Sequence, residues 1–123
     1  MFLATTANQN FWKTDEPILF LGEWCRLYSQ KHVWSELDYK VLPYHGANRL
    51  KAHQDYRYSQ EVYERTLNEL SQQLNDIHNV NYSVKYWRIL LDFWLASFIQ
   101  ICLDRDRSIS QAIESGKVKN TYV

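Results

Sequence analysis

Hydrophobic positions change their rhythm along the chain. Ile18-Leu19-Phe20-Leu21 is a short unbroken apolar run that ends at Gly22. A run without alternation suits a strand covered on both faces, as in a parallel sheet. The spacing then turns helical, with Trp24, Leu27 and Tyr28 at i, i+3 and i+4. Val41-Leu42-Pro43-Tyr44 predicts a second strand, in which Pro43 belongs at the end or on an edge because it donates no amide hydrogen. The span from Ile18 to Tyr44 is close to the shortest that holds strand, helix and parallel strand. Before it, Thr6-Ala7-Asn8-Gln9 has the spacing of a capping box and predicts a short helical turn.

From about Asp55 one apolar stripe follows helical spacing: Tyr56, Tyr63, Leu67, Leu70, Leu74 and Ile77. It predicts a long amphipathic helix over 55–78, closed near His78 and Asn79, where a cation or a left-handed residue fits. Asn81 or Ser83 can cap the next helix, over 83–104. There Lys85, Arg88, Asp92 and Gln100 make a narrow polar stripe and nearly everything else is apolar, so the expectation is a helix covered on most sides. Asp104-Arg105-Asp106-Arg107 should end it. Ile109, Ala112 and Ile113 then predict a short helix before Gly116, and Thr121-Tyr122-Val123 can open a strand.

Composition narrows the class. In 123 residues there is room for one domain; 46% are hydrophobic and 15% aromatic, which excludes a disordered or low-complexity chain. Fourteen basic and fourteen acidic side chains cancel, so no uniform field draws the chain to nucleic acid. Three glycines and two prolines favour long regular elements. Cys25 and Cys102 stand far apart and without metal-ligand spacing, which points to a reducing, cytoplasmic setting. Neither the cysteines nor His32, His53 and His78 suggest a metal site. The most apolar stretch, Ile89–Leu103, is about fifteen residues, short of the roughly 20 that a bilayer span needs, so it reads as a buried helix and not a transmembrane segment.

In open parallel sheets, ligands bind outside the carboxyl ends of the strands. Two loops then meet at one rim: Gly22-Glu23-Trp24-Cys25-Arg26 and Tyr44-His45-Gly46-Ala47-Asn48-Arg49. Gly22 allows close backbone approach. Glu23 or His45 could accept a proton from an attacking hydroxyl, histidine being the side chain that titrates nearest neutrality. Arg26 or Arg49 could hold a phosphate or carboxylate through paired hydrogen bonds, and Trp24 and Tyr44 offer flat faces for sugars or bases. Each has a blander alternative: a turn glycine, a helix-capping acid, a surface histidine. In Tyr86-Trp87-Arg88, Arg88 either points into a cleft or pairs with Asp92 one turn on, with Trp87 in the core. No Walker loop, dinucleotide glycine fingerprint or nucleophile elbow is present, and no cofactor is implied.

Several segments, in this order, resemble the N-terminal part of a bacterial transferase family of O-antigen and capsular polysaccharide gene clusters. They are Phe2-Leu3-Ala4-Thr5-Thr6, Pro17-Ile18-Leu19-Phe20-Leu21-Gly22-Glu23-Trp24-Cys25, Val41-Leu42-Pro43-Tyr44-His45, Leu74-Asn75-Asp76-Ile77-His78 and Tyr86-Trp87-Arg88-Ile89-Leu90. That family's proteins are several times longer. The resemblance therefore implies a single incomplete N-terminal α/β lobe over 1–123, partly Rossmann-like and GT-B-like. It implies the acceptor side of a glycosyltransferase-like enzyme, inactive alone, with a nucleotide-sugar donor held mainly by a missing C-terminal lobe and a glycan acceptor at this one. Where the family pattern continues Tyr-His with Trp-Asp-Asp-Arg, this chain has Gly46-Ala47-Asn48-Arg49, so no role of those acids carries over. Where the family has Gly-Pro after Tyr-Trp-Arg-Ile-Leu, this chain has Asp92-Phe93, and the helix should run unkinked. The competing expectation is a non-enzymatic module, a homo-oligomer formed through the apolar helix 84–103.

Overall fold

A computed structural model describes residues 1–122. It is an α/β chain in two compact units: Met1–Ala47 with Asp106–Val123, and Asn48–Arg105.

The first unit is built on four short strands, β1 (Phe2–Ala4), β2 (Ile18–Phe20), β3 (Tyr39–Val41) and β4 (Asn120–Thr121). Their order is β3-β2-β1-β4 and every pairing is parallel. All residues of β1 and β2 are buried, which is why their sequences are apolar without alternation. The expected parallel pairing of the two ribbons is present, with Ile18 opposite Tyr39, Leu19 opposite Lys40 and Phe20 opposite Val41. The second ribbon starts earlier than Val41–Tyr44, however. Past Val41 only the Leu42 amide still donates to Phe20 (2.9 Å), and Pro43 then has no hydrogen to give. β1 is the strand that hydropathy left unassigned. At the far end, the strand opens at Asn120, and Val123 lies outside the described residues.

The link from β2 to β3 is not the helix that its spacing implied. It consists of two 3₁₀ turns, Glu23–Cys25 and Tyr28–Gln30, and a four-residue helix α1 (Lys31–Trp34). Leu27 and Tyr28 are exposed, so the apparent stripe has no core to face. The turn before β2 is present at Gln9–Phe11, but its cap is Asn8, whose side chain accepts from the Asn10 amide at 3.1 Å. The core packs Trp12, Cys25, Leu42 and Ala112 around β1 and β2.

The second unit is a pair of helices, α2 (Arg49–His78) and most of α3 (Val84–Glu114). α2 begins before Asp55 because the Asn48 side chain accepts from the Leu50 and Lys51 amides (3.0 and 3.2 Å). It ends at Asn79, whose φ of 51° places it in the left-handed region anticipated for that position. Tyr63, Leu67, Leu95 and Ile99 form the core.

α3 departs most from expectation. Ser83 caps it through the Tyr86 amide, and it runs unbroken through Asp92 and Phe93 and past the Asp104–Arg107 cluster, absorbing the separate helix expected at Ile109–Ile113. A charged cluster ends a helix only where it competes for the backbone, and alternating acids and arginines are compatible with helical geometry. Nor is α3 covered on most sides: Ile89, Leu90, Phe93, Trp94, Phe98 and Ile101 are exposed, Phe93 to 89%. By length and composition Val84–Glu114 suffices to cross a membrane, which the shorter apolar stretch alone did not suggest.

Candidate functional site

Because β2 and β3 are adjacent and parallel, the segments after their carboxyl ends leave the same edge of the sheet. Gly22 to Arg26 follows β2 and Pro43 to Ala47 follows β3. This is the rim the sequence pointed to, and it carries Gly22, Glu23, Trp24, Arg26, Tyr44 and His45.

Each loop folds an aromatic ring onto its own glycine. A Cβ on Gly22 would lie 2.1 Å from the Trp24 ring, and one on Gly46 would lie 2.5 Å from the Tyr44 ring. Gly22 is extended (φ −177°), so steric room, and not an unusual backbone, is what the position demands. The close approach anticipated at Gly22 is thus made by Trp24. Tyr44 stays 64% exposed, with the His45 ring tilted against it at 4.8 Å between centroids. The His45–Ala47 segment is a 3₁₀ turn closed by the Ala47 amide on the Tyr44 carbonyl.

Glu23 and Arg26 form an ion pair one turn apart. Arg26 also donates to the Tyr39 hydroxyl at 3.0 Å and lies over the rings of Trp34 (4.9 Å) and Tyr39 (5.1 Å). The Glu23 hydrogen bond holds the guanidinium above its ordinary value despite partial burial. Arg26 therefore knits the β2 loop to α1 and β3, and its fork is occupied by protein groups. Glu23 remains largely exposed on the outer side of that pair. Trp34 and Tyr39, which form this clamp, carried no sequence signal beyond being aromatic. Among the described residues no cluster of His, Cys, Asp and Glu could hold a metal ion. Cys25 is buried and Cys102 exposed, neither in a disulfide.

With this rim in place, the chain can be compared with known families. A model of LIC12162 family transferases matches residues 1–123. The chain belongs to the LIC12162 family of transferases. No curated protein and no solved structure matches it.

Two residues carried forward as substrate contacts sit in the helical unit of this transferase. Arg49 is the exposed first residue of α2. Arg88 makes a two-pronged pair with Glu64 of α2, both contacts at 2.7 Å, and lies 5.7 Å from the Tyr63 ring. It does not pair with Asp92, which instead accepts from the Tyr63 hydroxyl. Hydrogen bonding raises the Arg88 guanidinium and lowers the Glu64 carboxyl from their ordinary values. Trp87 is buried as anticipated, donating to Asn75 at 2.9 Å. Thr5 to Asn10, read in sequence only as the start of a short turn, leaves β1 on the same edge as the other two loops. Its signal was a short apolar run, Phe2-Leu3-Ala4, followed by the polar Thr5-Thr6.

Proposed function

We propose that this chain is the acceptor-side α/β portion of a glycosyltransferase-like enzyme that builds a surface polysaccharide of the O-antigen or capsule type. Membership of a transferase family over the whole sequence carries this reading. The sheet order β3-β2-β1-β4 supports a Rossmann-like, GT-B-like lobe, being the first part of the doubly wound order. In this reading Tyr44 stacks on a sugar ring of the acceptor. Glu23 or His45 takes the proton of the attacking hydroxyl, within hydrogen-bond reach once the acceptor is seated. Trp24, seated on Gly22, keeps the β2 loop in shape, and Arg26 holds Glu23 in place. The nucleotide-sugar donor is bound by a further lobe, because the rim loops have neither a phosphate-cradling glycine run nor an uncommitted arginine clamp. In-line transfer then needs both reactants oriented together.

The test is a glycan array of bacterial surface oligosaccharides probed with the 123-residue chain, alongside calorimetric titration with nucleoside diphosphates. Binding to an oligosaccharide, weakened by Tyr44→Ala and by Glu23→Gln, is the expected result. Binding of a nucleoside diphosphate with no oligosaccharide recognised would overturn it.

A further inference from the structure

α3 carries apolar side chains on two faces, and the chain covers only one of them. Leu91, Leu95, Ile99 and Leu103 pack with Tyr63 and Leu67 of α2. At 3.6 residues per turn, Ile89, Leu90, Phe93, Trp94, Phe98 and Ile101 fall on the side away from that core. All six are exposed, Phe93 to 89% and none below 52%. Aromatic side chains offer about 150–250 Å² each, and isoleucine and leucine are of comparable size, so the six leave on the order of 700 Å² of apolar surface. The largest apolar patch on a typical monomer is about 300–600 Å², and each side of a stable protein pair covers about 800 Å². This one face therefore comes close to what half of a dimer interface supplies.

The face also complements itself. The Trp94 and Phe98 rings stack at 5.4 Å with 13° between their planes, and Ser97 is a small exposed residue set among the large ones. An antiparallel two-fold pairing centred between Leu95 and Ala96 brings Phe93 to Phe98 of the second copy, Leu90 to Ile101, and Trp94 to Ser97, large against small. The ends agree in charge. Lys85 and Tyr86 meet the Asp104–Arg105 end of the second copy, ammonium to carboxylate and ring to guanidinium, whereas a parallel pairing sets like against like.

A bilayer is the other occupant that the length and composition of α3 allow. To cross one, α3 would have to leave α2 and give up the Arg88–Glu64 pair and the Tyr63–Asp92 hydrogen bond. To lie on one, it would need a border rich in cations, yet Asp92 and Asp104 stand on it and the chain has no excess of basic residues. We infer that the chain forms a two-fold dimer through the Ile89–Ile101 face of α3. This pairing is independent of the acceptor rim, whose loops belong to the other compact unit.

Sedimentation velocity of the 123-residue chain across the micromolar range should show a species of twice the chain mass and nothing larger. Phe93→Glu and Phe98→Lys should each weaken the pair by about a hundredfold or more, since each change falls twice in a two-fold interface. Mixed in equal amounts, the two variants should pair again, because glutamate then faces lysine while the remaining Phe93 and Phe98 meet as before. Both positions lie outside the core, so circular dichroism should show each variant as helical as wild type. A wild-type chain that stays monomeric, one that forms only larger aggregates, or a mixture of variants that stays monomeric would each overturn the dimer. So would wild type that floats as a monomer with anionic phospholipid vesicles, which would give this face to a membrane.

Discussion

At Gly22 the sequence allows either a close approach to the backbone or a plain turn, and the structure fills the space with the ring two residues on. Hydropathy treats Trp24 as one more apolar side chain, while the structure uses the absent Cβ as the floor beneath it. Replacing Gly22 with alanine puts a methyl 2.1 Å from the Trp24 ring, a separation no contact survives. The extended backbone at Gly22 accepts alanine without strain, and alanine also restricts the unfolded chain slightly. Any loss therefore measures the displaced ring. Gly22→Ala should cost about 1–3 kcal/mol, the usual range for overpacking, and shift the Trp24 indole resonance. In a Trp24→Ala background the same change should cost little or nothing, a coupling that urea unfolding of the four proteins would show. An equal penalty in both backgrounds would mean that the ring is not what Gly22 accommodates. The same logic explains why Arg26 reads as a ligand clamp in sequence, and why Arg88 pairs with Glu64 and not with Asp92. A guanidinium fork is visible in sequence, but its partner is fixed by which strand or helix packs beside it.

Among the elements, those with strong periodicity or unbroken apolar runs were legible, and their ends were not. β2 could be read because all of its residues are buried, and the middle of α2 because Tyr63 and Leu67 recur on its buried face, although Tyr56 and Ile77 of the expected stripe are exposed. The start of α2 was missed since its first turns face solvent and only Asn48 marks them. α3 runs past Asp104 because the Asp104–Arg107 charges sit on a helix that continues to Glu114, so charge alone is no stop signal. The Arg88–Glu64 pair shows what an element boundary or a lone stripe cannot tell, namely which helix faces which. Its pH dependence follows from the direction of the Glu64 shift. Hydrogen bonding from Arg88 lowers that carboxyl below its ordinary value of 4.5, so the folded state binds the proton less readily than the unfolded state. The pair's contribution is then complete above pH 4.5 and disappears as pH falls through the lower, folded value. Both side chains are substantially exposed, so the effect is small and screened by salt. Urea unfolding at low ionic strength should show wild type ahead of Glu64→Gln at pH 6, with the gap narrowing as the pH is taken below 4.5. A gap that persists unchanged in acid would show that the carboxylate charge is not what Glu64 contributes.

For the whole molecule, two properties that are harmless apart act together. Net charge is zero near neutrality, with a pI of about 6.9, and α3 displays Ile89, Leu90, Phe93, Trp94, Phe98 and Ile101 to solvent. Trp94 and Phe98 stack on each other at 5.4 Å, so the apolar surface is contiguous in part and not a scatter of single residues. Contiguous apolar surface of this kind drives association, and a chain without net charge has little repulsion to oppose it. Fully burying one such side chain is worth about 1.5–3 kcal/mol, and each 1.4 kcal/mol is about a tenfold change in an equilibrium. The core face of α3 is separate, formed by Leu95 and Ile99 with Leu91 and Leu103, which allows the outer face to be altered without unfolding the helix pair. Leu90→Glu with Phe93→Lys leaves net charge at zero and removes two exposed apolar side chains. It should raise the solubility limit at pH 7 by about tenfold or more and reduce binding of a hydrophobic dye, with the urea midpoint little changed. Moving wild type to pH 9 should raise solubility through charge alone and leave dye binding as it was. If the double variant precipitates at the same concentration as wild type while the pH change restores solubility, the balance of charge and not the α3 face governs how the chain behaves in solution.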